Sequence, residues 1–352
     1  MKFKEKNGKS GRTNVDLNSI REESEWAVDA EDLVVHYVTS AETVEAVNSI
    51  DLKLKKKRTL GLVGETGAGK TTAMLALMRM VPDPPGEIVR GRICINGLDM
   101  MQLTPAQLQS VRGSEIAMIF QDPMTSLNPV ITVGDQIAES ILLHRDISRA
   151  EALKEAEGIL ATVGIDPRRS GEYPHQFSGG MRQRVGIAIA LACNPSILIA
   201  DEPTSALDVT IQAQILQMMR KLKEENDTSM ILITHDLGVV AEMCDDVAVM
   251  YAGRIVEYGT LKEVFNETKH PYTEGLFNSL PNIRNRVDKL KPIPGLMPDP
   301  ANLPAGCAFA DRCAYACDRC RKGIPEARAF SATHKVACSA YEDPDFKIGR
   351  GQ

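Results

Sequence analysis

The chain has 352 residues, 43% hydrophobic and 25% charged, a composition suited to one large or two smaller globular domains with a core of useful size. Its formal net charge of −6 gives no support for a nucleic-acid partner. No run reaches the roughly 18 consecutive apolar residues of a membrane span, and the charged start, Met1 to Asn14, lacks the apolar centre of a secretory signal. Folding in the cytoplasm is expected, with any membrane role exercised through partner subunits.

Residues 1 to about 27 are polar and aperiodic and read as a mobile tail. Short β-type runs follow at Asp32–Val38 and Ala46–Leu54, and the basic run Lys55 to Arg58 reads as the cap of a strand end or turn. Thr59–Val63 reads as a buried strand, then a glycine-rich turn, then a helix over Thr71–Met80; strand, glycine loop and helix open a parallel α/β sheet. Gly91–Met100 reads as a hairpin turning at Asn96-Gly97, and Ile116–Phe120 as another buried strand. The period turns helical from Thr132 to Val163 and again from Met181 to Ala192. Strands are predicted at Ile197–Ala200 and Met230–Thr234, with a helix over Thr210–Lys223 between them. After about Val264, prolines 271, 281, 292, 294, 298, 300 and 304 punctuate a loop-rich segment, and a domain boundary is placed there. No internal repeat is evident, so one copy of the main domain is expected per chain.

Gly64-Glu65-Thr66-Gly67-Ala68-Gly69-Lys70-Thr71, with Thr72 following, matches G-x4-G-K-[ST]. The glycines let backbone N–H groups converge into an anion-binding nest, and the next helix adds its positive dipole end. Lys70 supplies a full charge to the β- and γ-phosphates of ATP, and the Thr71 hydroxyl can coordinate Mg2+. Ile197 to Glu202 is an apolar strand ending in two acids, at the sheet mouth where α/β proteins bind ligands. There Asp201 would hold Mg2+ through water and Glu202 would act as general base. Alone, these acids could equally be a solvated strand end.

Phe177-Ser178-Gly179-Gly180-Met181-Arg182-Gln183 sets a hydroxyl and two glycines at a helix start, a second anion site. At this point the chain resembles the ABC ATPase superfamily, whose Ser-Gly-Gly signature reaches across a dimer to the γ-phosphate held by the other subunit. Two half-sites in one chain then imply two chains around each ATP. The resemblance covers roughly Val28 to Val264 and implies further roles. Gln121 is similar to the Q-loop glutamine, a Mg2+ ligand and sensor of the transport partner. Ser205-Ala206-Leu207-Asp208 resembles the D-loop at the dimer interface, His235 the switch histidine at the γ-phosphate, and Tyr37 the aromatic that stacks on adenine. Phe177 replaces the commoner Leu and Met181 a common Gln, but Ser178, Gly180 and Glu202 are intact, so hydrolysis is expected. The implied fold is a parallel α/β P-loop ATPase core with an antiparallel β-subdomain and a helical subdomain over about 123–177, followed by a cysteine-bearing extension at 265–352.

With 107 residues between Lys70 and Ser178 and no sustained heptads, the long coiled coils of repair ATPases are excluded. A single ATPase domain argues against the translation-factor class, so a transporter subunit is the leading expectation, with a soluble non-transport ABC ATPase as the alternative. Gln121-Asp122-Pro123-Met124-Thr125-Ser126-Leu127-Asn128-Pro129, His270-Pro271-Tyr272-Thr273, Pro292-Ile293-Pro294-Gly295, Gly306-Cys307-Ala308-Phe309 and Arg312-Cys313 resemble the oligopeptide/dipeptide importer ATPases. That resemblance implies peptide uptake, although related members move nickel chelates. It also implies a second, different ATPase chain, two transmembrane permeases, an extracytoplasmic solute-binding protein, and a place at the cytoplasmic face of the membrane.

Of eight cysteines, Cys94, Cys193 and Cys244 stand singly in apolar contexts and read as inert core thiols. Cys307, Cys313, Cys320 and Cys338 follow C-x5-C-x6-C-x17-C, with Cys317 between the second and third. In a reducing compartment this reads as a metal site before it reads as disulfides. The importer resemblance implies a [4Fe–4S] cluster on the four, with Cys317 a spectator; a structural Zn2+ site, which would favour the Cys317–Cys320 pair, is the alternative.

Overall fold

The computed structural model describes residues 17–122, 126–205, 207–279 and 292–349. Most of the predicted tail, Pro123–Thr125 of the predicted helical segment, Ala206 and Pro281 therefore lie outside the described residues.

The chain opens with β1 (Trp26–Val38) and β2 (Thr43–Lys55), long antiparallel strands, and then β3 (Thr59–Val63) and helix α1 (Lys70–Leu77). Strands β4 (Gly86–Ile95) and β5 (Leu98–Asp99) turn at Asn96-Gly97, and β4 pairs with β1, giving an antiparallel sheet of order β2-β1-β4-β5. Helix α2 (Pro105–Val111) leads to β6 (Ile116–Ile119). The single helical period of Thr132–Val163 resolves into two helices, α3 (Val133–His144) and α4 (Arg149–Thr162). The break has a local cause: Arg145 is extended, and Ser148 with Glu151 forms a capping box that starts a new helix.

Next come α5 (Gly179–Leu191), β7 (Ile197–Asp201), α6 (Val209–Glu225) and β8 (Ser229–Ile233). Helix α7 (Leu237–Met243), β9 (Asp246–Tyr251) and β10 (Arg254–Thr260) complete the second sheet with α8 (Leu261–Asn266) behind them. In that sheet β9, β3, β8, β7 and β6 are parallel neighbours in this order.

The pleat divides each central strand between two cores. Ile197 and Ile199 face one core and Leu198 and Ala200 the other; Ile231 and Ile233 oppose Met230 and Leu232 in the same way. One core includes α1 and the antiparallel sheet, the other α3 to α6. Burial on both faces explains the continuous apolar runs of these strands, each Ile or Leu contributing about 1.5–3 kcal/mol.

The segment predicted as loop-rich holds more regular structure than its prolines suggest. Helix α9 (Pro271–Asn278) follows α8, and β11 (Ala327–Ala329) and β12 (Lys335–Ala337) form a hairpin. Strand β12 pairs antiparallel with β10, Glu257 opposite Val336 and Tyr258 opposite Lys335, so the second sheet ends in chain from the C-terminal extension. Before β1, the Glu22 N–H donates to the Gly97 carbonyl at 3.0 Å and Arg21 pairs with Glu115 at 2.5 Å. No helix among the described residues is long and apolar enough to cross a membrane.

Candidate functional site

The parallel register brings the predicted site residues to one edge. Leu62 pairs with Ile233, Ile233 with Asp201, and Ala200 with Ile119. One or two residues beyond this rung, at the C-terminal ends of the strands, stand Gly64, Glu202, His235 and Gln121. This is where an open α/β sheet presents its ligand site.

Gly64 and Gly69 permit the loop's path. Both have positive φ, 155° and 98°, and a Cβ on either would stand 2.2 Å from a backbone oxygen, of Met250 and Ala46 respectively. Lys70 is buried, with its ammonium donating to the carbonyls of Gly64 at 2.8 Å and Glu65 at 2.9 Å. Burial pulls its pKa down, opposed by Glu202, Asp201 and Glu65. The Thr71 hydroxyl donates to Asp201 at 2.7 Å. Burial pushes the Asp201 carboxyl above its usual range, with Glu202 adding to the rise and Thr71 and Lys70 opposing it. A desolvated carboxylate beside a hydroxyl is a hard-oxygen pair that gains from a divalent cation, so these residues fit Mg2+.

Glu202 adopts φ 45°, uncommon outside glycine. One carboxylate oxygen accepts from Gln121 Nε2 at 2.9 Å, and the other lies 3.3 Å from His235 Nδ1. Ser205 Oγ donates to the Glu202 carbonyl at 3.0 Å, and Asp208 caps α6 by accepting from the Ile211 N–H at 2.9 Å. Leu207 packs at the edge of the core; Ala206 lies outside the described residues. Tyr37 is half-buried on β1, its hydroxyl 3.3 Å from Thr72 Oγ1 at the start of α1.

The signature stands apart. Ser178 caps α5, accepting from the Met181 N–H at 3.4 Å; Ser178 and Gly179 are exposed, Gly180 and Met181 half-buried. Among the described residues no hydrogen bond joins this helix start to the phosphate loop of the same chain.

Cys307, Cys313, Cys320 and Cys338 line one small pocket with His270, Phe309 and Tyr315. Burial pushes the Cys313 thiol up to about 11 and the Cys338 thiol to about 12, and raises Cys307 and Cys320 as well. Cys317 is exposed outside that lining, its Sγ 3.6 Å from that of Cys320. Among the described residues no three His, Cys, Asp or Glu stand close enough to grip a metal ion, so the expected cysteine centre is gathered around a pocket but not drawn into a formed metal site. Of the three solitary thiols, Cys94 and Cys244 are buried and Cys193 half-buried.

One set of contacts escaped the motifs. Arg312 of the extension forms a two-pronged ion pair with Glu65 of the phosphate loop, at 2.7 and 2.9 Å, and Tyr272 accepts from the Glu65 N–H at 2.9 Å. Both residues belong to the tail stretches singled out for their subfamily resemblance, which carry no hint of a partner 247 or 207 residues away.

The ABC transporter family profile matches residues 47–205, and the profile described as "Oligopeptide/dipeptide transporter, C-terminal region" matches residues 256–320. The oligopeptide transport ATP-binding protein OppD of Bacillus subtilis is 50% identical over 312 residues, covering 88% of this chain and 87% of the relative. The dipeptide transport ATP-binding protein DppD of the same organism is 46% identical over 316 residues, covering 89% and 94%. Among solved structures, a dimeric post-hydrolysis state of an ATP-binding cassette bound to ADP and Pi superposes with a TM-score of 0.60 at 28% identity, covering 66% of this chain and 98% of that one. A phosphate loop, a strand-end acid pair, a signature helix and a cysteine extension thus lie in one chain with these relatives, and the chain belongs to the ABC transporter ATPases, in their oligopeptide/dipeptide transport ATP-binding branch.

Proposed function

We propose that this ATPase powers uptake of di- or oligopeptides through transmembrane permease partners. The observation that carries the reading is the convergence of the phosphate loop, the Thr71–Asp201 pair and the Gln121–Glu202–His235 group at one sheet edge, in a chain whose relatives are named for peptide transport. Lys70 and the nest formed by Gly64 to Thr72 bind the phosphates, and Tyr37 stacks on adenine. Thr71, Asp201 and Gln121 would hold Mg2+, which supplies charge neutralisation at the phosphates when bound. Glu202 accepts a proton from the water that attacks the γ-phosphorus while the bond to the β-phosphate oxygen breaks, and His235 steadies that carboxylate and the γ-phosphate. Ser178, Gly179, Gly180 and Met181 act in trans, and the D-loop from Ser205 to Asp208 lies between the two chains. The partners are a second, different ATPase chain, two permeases and, indirectly, a solute-binding protein, at the cytoplasmic face of the membrane; no nucleic acid is involved.

The chain divides into a polar tail at 1–27, the ATPase at 28–264 with its helical part at about 123–177, and the extension at 265–352. The shared pocket of Cys307, Cys313, Cys320 and Cys338 supports a four-thiolate [4Fe–4S] centre, with Zn2+ as the alternative. Its service here would be to staple a tail with little core of its own.

The test is reconstitution with the permeases and the second ATPase in vesicles. Peptide-stimulated ATP turnover and peptide accumulation are expected. Turnover stimulated by a nickel chelate and indifferent to peptides would replace the substrate, and turnover that ignores the permeases would replace the transporter reading.

A further inference from the structure

The phosphate loop carries a carboxylate at Glu65, beside the place where a highly charged anion must bind. That carboxylate is met by Arg312, whose side chain is only 8% exposed, through two bonds of 2.7 and 2.9 Å. The guanidinium is fixed in turn: its Nε donates to the Pro294 carbonyl at 2.8 Å and it donates to the Tyr251 hydroxyl at 3.2 Å. It lies 5.8 and 6.0 Å from the ring centres of Tyr251 and Phe309. Tyr272, fully buried, holds the Glu65 N–H, and the Glu65 carbonyl accepts from Lys70. The approach continues at residues 297–300 of the extension: Met297 lies against Gly67, where a Cβ would stand 3.0 Å from its Cε, and the Pro300 carbonyl accepts from the Glu45 N–H at 2.9 Å.

We propose that Arg312, assisted by Tyr272, is a positioning residue for the phosphate loop, so that the C-terminal extension is a working part of the nucleotide site. Arg312 acts in two ways. It cancels a negative charge that would repel the phosphates, and it fixes the backbone between Gly64 and Gly67, through which Lys70 is aimed. A bidentate guanidinium–carboxylate pair does both, because its geometry is planar and its charge permanent. Removing one member of this partly buried pair leaves the other without its counter-charge. The inference rests on the reading of residues 64–71 as the ATP-binding loop.

The experiment measures equilibrium binding of a fluorescent ATP analogue with Mg2+ to the full chain. It compares the unaltered protein with Arg312→Ala, Arg312→Lys, Tyr272→Phe, Arg312→Ala/Glu65→Gln and Lys70→Ala. Arg312→Ala is expected to weaken binding roughly tenfold, Arg312→Lys less, and the double variant is expected to bind better than Arg312→Ala alone, because the stranded carboxylate is gone. In the reconstituted transporter the Arg312→Ala loss should fall on the KM for ATP and leave kcat within about threefold. If Lys70→Ala abolishes binding while Arg312→Ala, Arg312→Lys and Tyr272→Phe match the unaltered protein, the positioning role is overturned and the site stands. Binding that survives Lys70→Ala overturns the reading of the loop itself. Should Arg312→Ala not fold, Arg312→Lys and Tyr272→Phe decide: weakened binding in a fully folded variant supports the role, and unchanged binding in both overturns it.

Discussion

Glu202 is held by two neighbours and by its own backbone. Gln121 and His235 occupy its two carboxylate oxygens, and its φ of 45° turns it out of the strand that delivers it. Left-handed backbone in a residue other than glycine costs energy, which the surrounding sheet supplies. Asp201 instead accepts from Thr71, which separates the proposed Mg2+ ligand from the proposed base at Glu202. Replacing Glu202 by Gln keeps the shape and removes the proposed base, so nucleotide binding should persist while turnover falls by roughly a hundredfold or more. Paired binding and phosphate-release assays would read this, and unchanged turnover would remove Glu202 from the role. These residues were legible because each lies in a short contiguous pattern at a strand end. Arg312 and Tyr272 were not, since their meaning depends on a contact made across most of the chain.

At the level of elements, the central strands announced themselves through unbroken apolar runs, and the split between α3 and α4 was present in the Ser148–Glu151 cap but hidden by a continuous helical period. Strands β9 and β10, helix α7 and the β11–β12 hairpin were not anticipated. They are short, and the hairpin is set by pairing with a distant strand rather than by its own alternation. One carboxylate anchors that hairpin. Glu263 of α8 accepts from Ser331 Oγ at 2.6 Å, from Thr333 Oγ1 at 2.9 Å and from the Thr260 N–H at 2.9 Å. Partial burial would raise its pKa, but these donors together draw it down to about 2 from an ordinary 4.5. The unfolded chain therefore binds the extra proton first as pH falls, and the stabilisation is complete above pH 4.5 and lost as pH falls towards 2. Glu263→Gln should cost about 1 kcal/mol at pH 7, discounted for solvent exposure. That difference should shrink steadily as pH falls from 4.5 through about 2, as followed by urea midpoints; a difference constant with pH would refute the assignment.

Across the whole molecule, the extension is joined to the ATPase at the phosphate loop through Arg312, at α8 through Glu263, and at the sheet through β12. The proposed four-thiolate centre would tie this extension together at the pocket lined by Cys307, Cys313, Cys320 and Cys338. Protein purified without oxygen should be coloured and contain iron. Cys307→Ser and Cys320→Ser should bleach it, while Cys317→Ser should not; a colourless protein with one zinc per chain would instead favour the alternative site. The β10–β12 pairing has a consequence for synthesis. A chain made from its N-terminus completes β10, residues 254–260, well before residues 335–337 exist to cover it. Until then the outer edge of β10 is open, and Glu257, wholly buried in the finished fold, lacks the His334 that stands 2.8 Å from its carboxylate. An open edge invites pairing with another nascent chain. The stretch that closes the sheet thus emerges from the ribosome long after the strand it covers, and a message cut short before it would yield a protein prone to aggregate rather than a smaller working engine.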